Sequence, residues 1–343
     1  MTQTLQQPPQ EKSRRQRRRR FLNRRFLLAG TAALLAALVG TEIFLRVYFG
    51  FARPLLYQAD AACGFIVKPD QDIVRLRSHN FINHVSMRSP EFAEQPAPGT
   101  LRLLFVGDSV TYGTTYVTQD AIFPTRVAAE LPAAVHQPVE VLNASAGGWG
   151  PGNEVAYLMS RGTYHANVVL MVWNTGDFGQ PFAELPKEVS FPTQNPATAI
   201  GEVWTRYAKP RLFGGGVADP GSLPSDSPPE EVAIAKQNME KLAEAKAFAD
   251  KSGVRFGMVF VPSGAAFQTP AHSAMRDRFI AWTVQNHVPL FDMTGPFSHE
   301  DASALWFDGI HLKPHGNEIV VREIVTHWGE QFAGTGSTGE SKP

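Results

Sequence analysis

Between residues 26 and 51 the chain is apolar almost without interruption, reading FLLAGTAALLAALVG from Phe26 to Gly40 and TEIFLRVYFGF on to Phe51. As a helix rising about 1.5 Å per residue, this stretch reaches about 39 Å, more than a bilayer hydrocarbon core of about 30 Å. Its only charges are Glu42 and Arg46, four apart with the acid first, so on a helix they face each other and can pair. Arg46 also lies near enough to the far end to extend its head group to the interface. The pattern predicts a transmembrane helix over 26–48.

Beyond residue 100 short apolar runs alternate with amphipathic stretches. The runs at 101–106 (LRLLFV), 139–142, 168–173 (VVLMVW), 255–261 and 289–291 read as buried strands. Helical patterns fill the intervals at 122–131, 153–160, 229–252 and 275–286, and a last one covers 315–328. Continuous apolar strands alternating with helices predict an α/β domain over 101–332, with a parallel sheet covered on both faces. Residues 52–100 read as a membrane-proximal segment of short mixed stretches. The pattern fails over 178–228, whose second half is rich in Pro and Gly, so this insertion is expected to be either a functional lid or disordered. The tail at 333–343 is expected to be disordered.

With 43% hydrophobic and 19% charged residues among 343, the chain has material for one large domain plus appendages. The formal charge of zero hides an asymmetry: Lys12, Arg14, Arg15, Arg17 to Arg20, Arg24 and Arg25 precede the apolar run, against the single acid Glu11. The remainder carries no basic stripe able to track a phosphate backbone, so no nucleic-acid partner is expected. Dense positive charge on one side of the apolar run keeps residues 1–25 in the cytoplasm and puts the domain outside, as an extracytoplasmic, single-pass arrangement. An uncleaved anchor, a cleaved signal peptide and a buried helix all share this length. The one-sided arginines are unexplained by a buried helix, and Gly40 with Leu38 two residues before it makes a poor cleavage site. The Arg24-Arg25 pair before FLLAG is a weak match to a twin-arginine export signal. Cys63 is the only cysteine, which rules out an intrachain disulfide and reads as a small apolar residue.

In such sheets the sites form at the carboxyl ends of the strands. The first strand is followed by Gly107-Asp108-Ser109, the second by an Asn143–Gly150 loop holding Gly147, Gly148 and Trp149, and the third by Asn174-Thr175-Gly176-Asp177. Asp308 and His311 stand just ahead of the last helix. A serine hydroxyl needs a base to take its proton, and histidine suits that task near neutral pH. Ser109 is the candidate nucleophile, His311 the base and Asp308 the carboxylate that orients it. The Ser109 and Gly148 N–H groups and the Asn174 amide are candidate oxyanion donors. Asp108, Asp177, Trp149 and Tyr112 are candidates to line or support the site, core packing being open for the aromatics. Gly-Asp-Ser and Asp-x-x-His carry little alone, and Asp108 and Ser109 could merely cap the next segment. Their joint placement, directly after the first strand and directly before the last helix, is what discriminates. His311 and His315 stand four apart but Pro314 intervenes, and no metal site is expected.

The blocks GDSV at Ser109, VLNASAGGWGPGNE around Gly148 and DGIHLKPHG at Asp308 and His311 resemble those of the SGNH/GDSL hydrolases over 101–328. The stretch HNFINHVSMRSPEF resembles the segment preceding the domain in membrane-anchored bacterial members. The resemblance implies a three-layer, doubly wound, flavodoxin-like sheet and esterase, lipase or acyltransferase chemistry on a carbonyl substrate, without a cofactor. It departs at the third block, where Asn174 and Gly176 have exchanged the usual places of glycine and asparagine, so either residue could occupy the third oxyanion position. The residues leave three readings open: an ester hydrolase acting through an acyl-serine on small-molecule, lipid or polysaccharide esters, an O-acyltransferase, and an inactive binding domain.

Overall fold

Past Thr100 the apolar runs become five parallel strands. The computed structural model of the protein describes residues 10–213, 229–264 and 270–332; the 214–228 end of the predicted insertion and the predicted tail lie outside them. Helix α1 (Gln10–Phe49) is followed by two antiparallel hairpins, β1 (Tyr57–Asp60) with β2 (Gly64–Val67) and β3 (Gln71–Arg75) with β4 (Ser78–Ile82). The domain then runs β5 (Leu101–Gly107), α2 (Ser109–Tyr112), α3 (Phe123–Val135), β6 (Val139–Ser145), α4 (Pro151–Arg161) and β7 (Val168–Asn174). It continues through α5 (Ala199–Val203), α6 (Lys209–Phe213), α7 (Pro229–Lys251), β8 (Arg255–Val261), α8 (Pro270–Gln285) and β9 (Leu290–Asp292). Helices α9 (Thr294–Ser298), α10 (Ala302–Leu305) and α11 (Pro314–Phe332) close it. The sheet order is β6-β5-β7-β8-β9, which is the flavodoxin-like second-first-third-fourth-fifth arrangement.

Side-chain alternation along β5 divides the core into two layers. Leu103 and Phe105 belong to the apolar cluster with Phe123, Val127 and Leu131 of α3 and Ile319 and Val320 of α11. Leu104 and Val106 belong to the opposite cluster, with Val155 and Leu158 of α4, Leu242 of α7 and Phe279 of α8. A strand buried on both faces carries apolar residues on both, and that is why β7 and β8 read as continuous runs; β5 has one buried exception, Arg102, whose guanidinium pairs with Glu140 at 2.5 Å. The strands extend past the predicted ends because polar residues also pair in register: Asn143 lies opposite Phe105, and Ser145 opposite Gly107. Those two polar residues are buried but satisfied, Ser145 Oγ donating to Asn143 Oδ1 at 2.6 Å and Asn143 Nδ2 to the Thr111 carbonyl at 3.0 Å.

Two predicted boundaries change. The span predicted over 26–48 lies within a longer helix that begins at Gln10, because arginine, lysine and glutamine are good helix formers and carry it through the basic region. The segment over 52–100 is not separate from the domain: Leu55, Tyr57, Phe65, Ile73, Ile82 and Met87 belong to the same buried cluster as Leu104 and Val106. The described part of the predicted insertion is attached to the end of α1. Glu42 accepts the Ala199 and Ile200 N–H groups at 2.8 and 3.0 Å and pairs with Arg46 at 2.6 Å, while Arg46 donates to the Ala197 carbonyl at 2.8 Å. Behind them Glu202 is buried, accepting from Arg75 at 2.5 Å and from the Ala52 N–H at 2.6 Å.

Arg88 ties the wrapped segment to the domain. It is buried, and it donates to the Tyr112, Thr114 and Val117 carbonyls at 2.6 to 2.7 Å and to Gln119 Oε1 at 3.1 Å. Truncation would leave three carbonyls without a donor at about 1–3 kcal/mol each. Arg88→Ala is therefore expected to lower unfolding free energy by about 3 kcal/mol or more. Denaturant unfolding of the detergent-solubilised chain measures this, and a loss under about 1 kcal/mol would contradict it.

Candidate active site

β5 turns into α2 within two residues. A Cβ on Gly107 would stand 2.1 Å from Thr111 Oγ1, so only glycine lets the strand turn this tightly into the helix. Asp108 caps α2, its Oδ1 accepting the Val110 N–H at 2.8 Å, and Ser109 occupies the first helical position. The nucleophile candidate is thus held at the sheet's carboxyl edge by a strand end below and a capped turn beside it.

The last loop meets it there. Asp308 Oδ1 accepts the Ile310 and His311 N–H groups at 3.2 and 2.9 Å, and its Oδ2 takes His311 Nδ1 at 2.6 Å. With Nδ1 donating to the carboxylate, Nε2 is an acceptor, and it lies 2.9 Å from Ser109 Oγ. The Gly264 N–H donates to the Gly309 carbonyl at 2.6 Å, tying this loop to the segment after β8. Partial burial pushes the Asp308 carboxyl upward, but the imidazole and the two N–H groups outweigh it and hold its pKa at about 2. The carboxylate therefore stays ionised across the range in which a histidine base operates.

The exchanged Asn174 and Gly176 have a geometric consequence. Asn174 ends β7 and caps the short 3₁₀ turn that follows, its Oδ1 accepting the Gly176 N–H at 2.7 Å. Its Nδ2 donates to Asp108 Oδ2 at 2.9 Å, and its backbone N–H donates to Asp177 Oδ2 at 2.6 Å. An amide two residues earlier in the chain therefore still reaches the nucleophile loop, while Gly176 brings only its backbone. Asp108 and Asp177, expected to line or support the site, lie beneath it and hold Asn174. Both are buried, one under Ser109 and the other under Asn174, each accepting a backbone N–H at the turn that follows its strand.

A third acid that the sequence gave no reason to single out joins them. Glu154 of α4 is fully buried, and its Oε2 accepts Trp173 Nε1 at 3.1 Å. Burial raises all three carboxyls, Glu154 and Asp177 well above the ordinary range, and charge repulsion from Asp108 adds to both. Glu154 Oε1 and Asp177 Oδ1 have no hydrogen-bond donor among the described residues.

Gly148, at φ +82°, brings the second loop to the site; a Cβ there would lie 2.9 Å from the Phe191 ring, so a side chain is excluded. A Cβ built on Gly147 would stand 3.8 Å from Ser109 Cβ and 3.5 Å from Tyr57 Oη, which places this loop and Tyr57 beside the nucleophile. Tyr57, Phe65 and Phe191 form an aromatic cluster there, with ring centroids 5.0 to 6.1 Å apart. None of the three was singled out in the sequence, because their segments meet the site only in the folded chain. Trp149 is a correction: its ring is buried against Tyr157 and its Nε1 donates to the Phe65 carbonyl at 2.7 Å, so it packs the core rather than lining the cleft. Tyr112 is buried as well. His315 turns away to Glu300 at 3.0 Å. Cys63 is buried, and burial and the neighbouring Asp60 push its thiol up to about 12.

No known family profile and no curated protein matches the chain. Among solved structures it is similar to a GDSL-like lipase from Bacteroides thetaiotaomicron, at 11% identity and a TM-score of 0.42 over 70% of this chain and 92% of that one. It is similar to a catalytic mutant of an acetylxylan esterase from Geobacillus stearothermophilus, at 15% identity and a TM-score of 0.41 over 67% and 94%. It is also similar to a psychrotrophic esterase from a Pseudoalteromonas species inhibited by monoethylphosphonate, at 13% identity and a TM-score of 0.40 over 67% and 97%.

The buried acids set a pH dependence. A carboxyl whose folded pKa is raised contributes stability that is complete below its unfolded value, near about pH 4, and that is lost as pH climbs through the folded value. Glu154→Gln removes one such titration while keeping an acceptor for Trp173. Between about pH 5 and about pH 8 the variant is expected to lose less stability than the parent, as read from unfolding midpoints. Parallel curves for the two proteins would show that the folded pKa of Glu154 is not raised above its unfolded value.

Proposed function

We propose that the protein is an SGNH-type serine ester hydrolase, anchored by α1 with its domain on the extracytoplasmic side. One observation carries the reading: an unbroken relay from Asp308 through His311 to Ser109 at the edge of the sheet, 2.6 and 2.9 Å per link. Helix α1 supports the anchor, being long and apolar enough to cross a membrane with its span unburied by the rest of the chain.

In the proposed reaction Ser109 Oγ attacks the ester carbonyl carbon as His311 Nε2 takes its proton. Asp308 keeps the proton on Nδ1 and stabilises the imidazolium. The carbonyl oxygen becomes an oxyanion facing the Ser109 and Gly148 N–H groups and the Asn174 amide. An amide has two donor hydrogens, so Asn174 can hold Asp108 with one and offer the other. Collapse breaks the C–O bond, and the departing alcohol takes the proton from His311. Water then attacks the acyl-serine, giving its proton to Nε2, and the carboxylic acid leaves as Ser109 is restored. O-acyl groups on envelope polysaccharide and lipid esters both present this carbonyl.

Ser109→Ala is expected to abolish hydrolysis of nitrophenyl esters and labelling by a fluorophosphonate, with the fold intact by circular dichroism. Persistent labelling of that variant would end the proposal. Asn174→Ala is expected to lower kcat by about 10²–10³ if its amide serves the oxyanion, and Asn174→Gly no less. Initial rates over a substrate series check this. With an oligosaccharide acceptor present, product that is mostly transferred rather than hydrolysed would make the enzyme a transferase using the same three residues.

A further inference from the structure

Residues 199–213 carry an apolar face that no other described residue covers. This segment is α5, a π-type turn at Trp204–Ala208, and α6. Its inner side is packed: Ala199 is buried, and Val203 and Tyr207 lie against Phe51 at the foot of α1. Its outer side leaves Trp204 47%, Leu212 68% and Phe213 73% exposed, with the Trp204 and Phe213 rings edge-on at 6.3 Å. Lys209 and Arg211 are exposed among them. Basic residues beside exposed tryptophan, leucine and phenylalanine are the composition of helices that lie in a membrane interface.

The attachment of this segment says what covers it. The Glu42 and Arg46 contacts that hold residues 197–200 belong to the last turns of α1, whose Phe44, Val47 and Tyr48 are also exposed. Wherever α1 leaves a bilayer, residues 199–213 are held beside the exit. The buried Glu202–Arg75 pair fixes the segment from the other side, so its position is rigid relative to the domain. Tyrosine and tryptophan are the residues that gather at this depth.

We propose that residues 199–213 form a second contact with the phospholipid bilayer that holds α1, with Trp204, Leu212 and Phe213 inserted at the boundary of head groups and acyl chains and Lys209 and Arg211 against phosphate. The inference rests on α1 spanning the bilayer and is independent of the chemistry at Ser109. It has a consequence for the site. Arg206, in the same segment, donates to the Val189 carbonyl at 2.6 Å and lies close enough to Tyr57 and Tyr116 to act on both phenols. Through Val189 the segment is tied to the loop whose Phe191 ring packs against Tyr57 beside Ser109, so a bilayer contact at 199–213 would hold the cleft close to the membrane surface.

The test uses the full chain in nanodiscs of phosphatidylcholine and phosphatidylglycerol, with Cys63→Ser as background and an environment-sensitive fluorophore at one introduced cysteine. Leu212→Cys and, as a second reporter, Phe213→Cys are expected to give blue-shifted emission. They should be quenched at least about twofold more by nitroxides placed shallow in the lipid than by deep ones, the signature of insertion by about 5–10 Å. Leu34→Cys, within α1, should be quenched most by deep nitroxides, and Met159→Cys on α4 by neither. Water-like emission at 212 and 213 overturns the proposal, as does blue-shifted emission without quenching, which would mean protein cover from a second copy. Absence of quenching at 34 as well overturns the anchor with it, while leaving the Ser109 chemistry untouched.

Discussion

Parallel pairing sets β5, β6 and β7 level at their carboxyl ends, with Gly107 opposite Ser145 on one side and Val172 on the other. Three loops that are distant in the chain must then emerge together. Those loops carry Ser109, Gly148 and Asn174, and a fourth, tied to the end of β8 through Gly264 and Gly309, delivers Asp308 and His311. Residues 202 apart in sequence meet at 2.9 Å because the sheet permits no other exit for their backbones. Every statement about chemistry in this protein rests on that level edge.

Beneath the edge lies a layer of polar groups that a soluble core would ordinarily avoid. Asp108, Asn174 and Asp177 form a chain of hydrogen bonds from the Ser109 turn to the turn after β7, with Glu154 and Trp173 behind it. Acids this deep are tolerated when most of their oxygens accept hydrogen bonds or when they keep a proton. What they contribute is a fixed relation between two turns that would otherwise move separately. The apolar strands supply cohesion, and the polar layer supplies alignment.

Much of this was legible in the sequence, and the reasons differ by residue. Unbroken apolar runs gave the buried strands, because double burial leaves no room for alternation. Ser109, Asp308 and His311 stood out because each lies next to an element boundary that periodicity locates. Tyr57, Arg88 and Phe191 did not, since they belong to segments without periodicity and acquire neighbours only through tertiary packing. Trp149 shows the opposite failure: a position beside a glycine-rich loop does not say which way a ring turns, and its indole N–H found a backbone carbonyl inside the core. Asp108 and Asp177 were recognised as part of the site, but their depth was not, because a capping carboxylate has the same local sequence whether it is exposed or buried.

The bond between the foot of α1 and the start of α5 makes the end of the apolar helix part of the domain's own framework. Glu42 supplies acceptors for two backbone N–H groups that begin α5, and Arg46 supplies a donor to the turn before it. Loss of the helix beyond Thr41, not of the part before it, would take those side chains away and leave that turn without its partners. The last turns of α1 are therefore a structural member of the domain, and its foot is built as much from the helix as from the sheet's own loops.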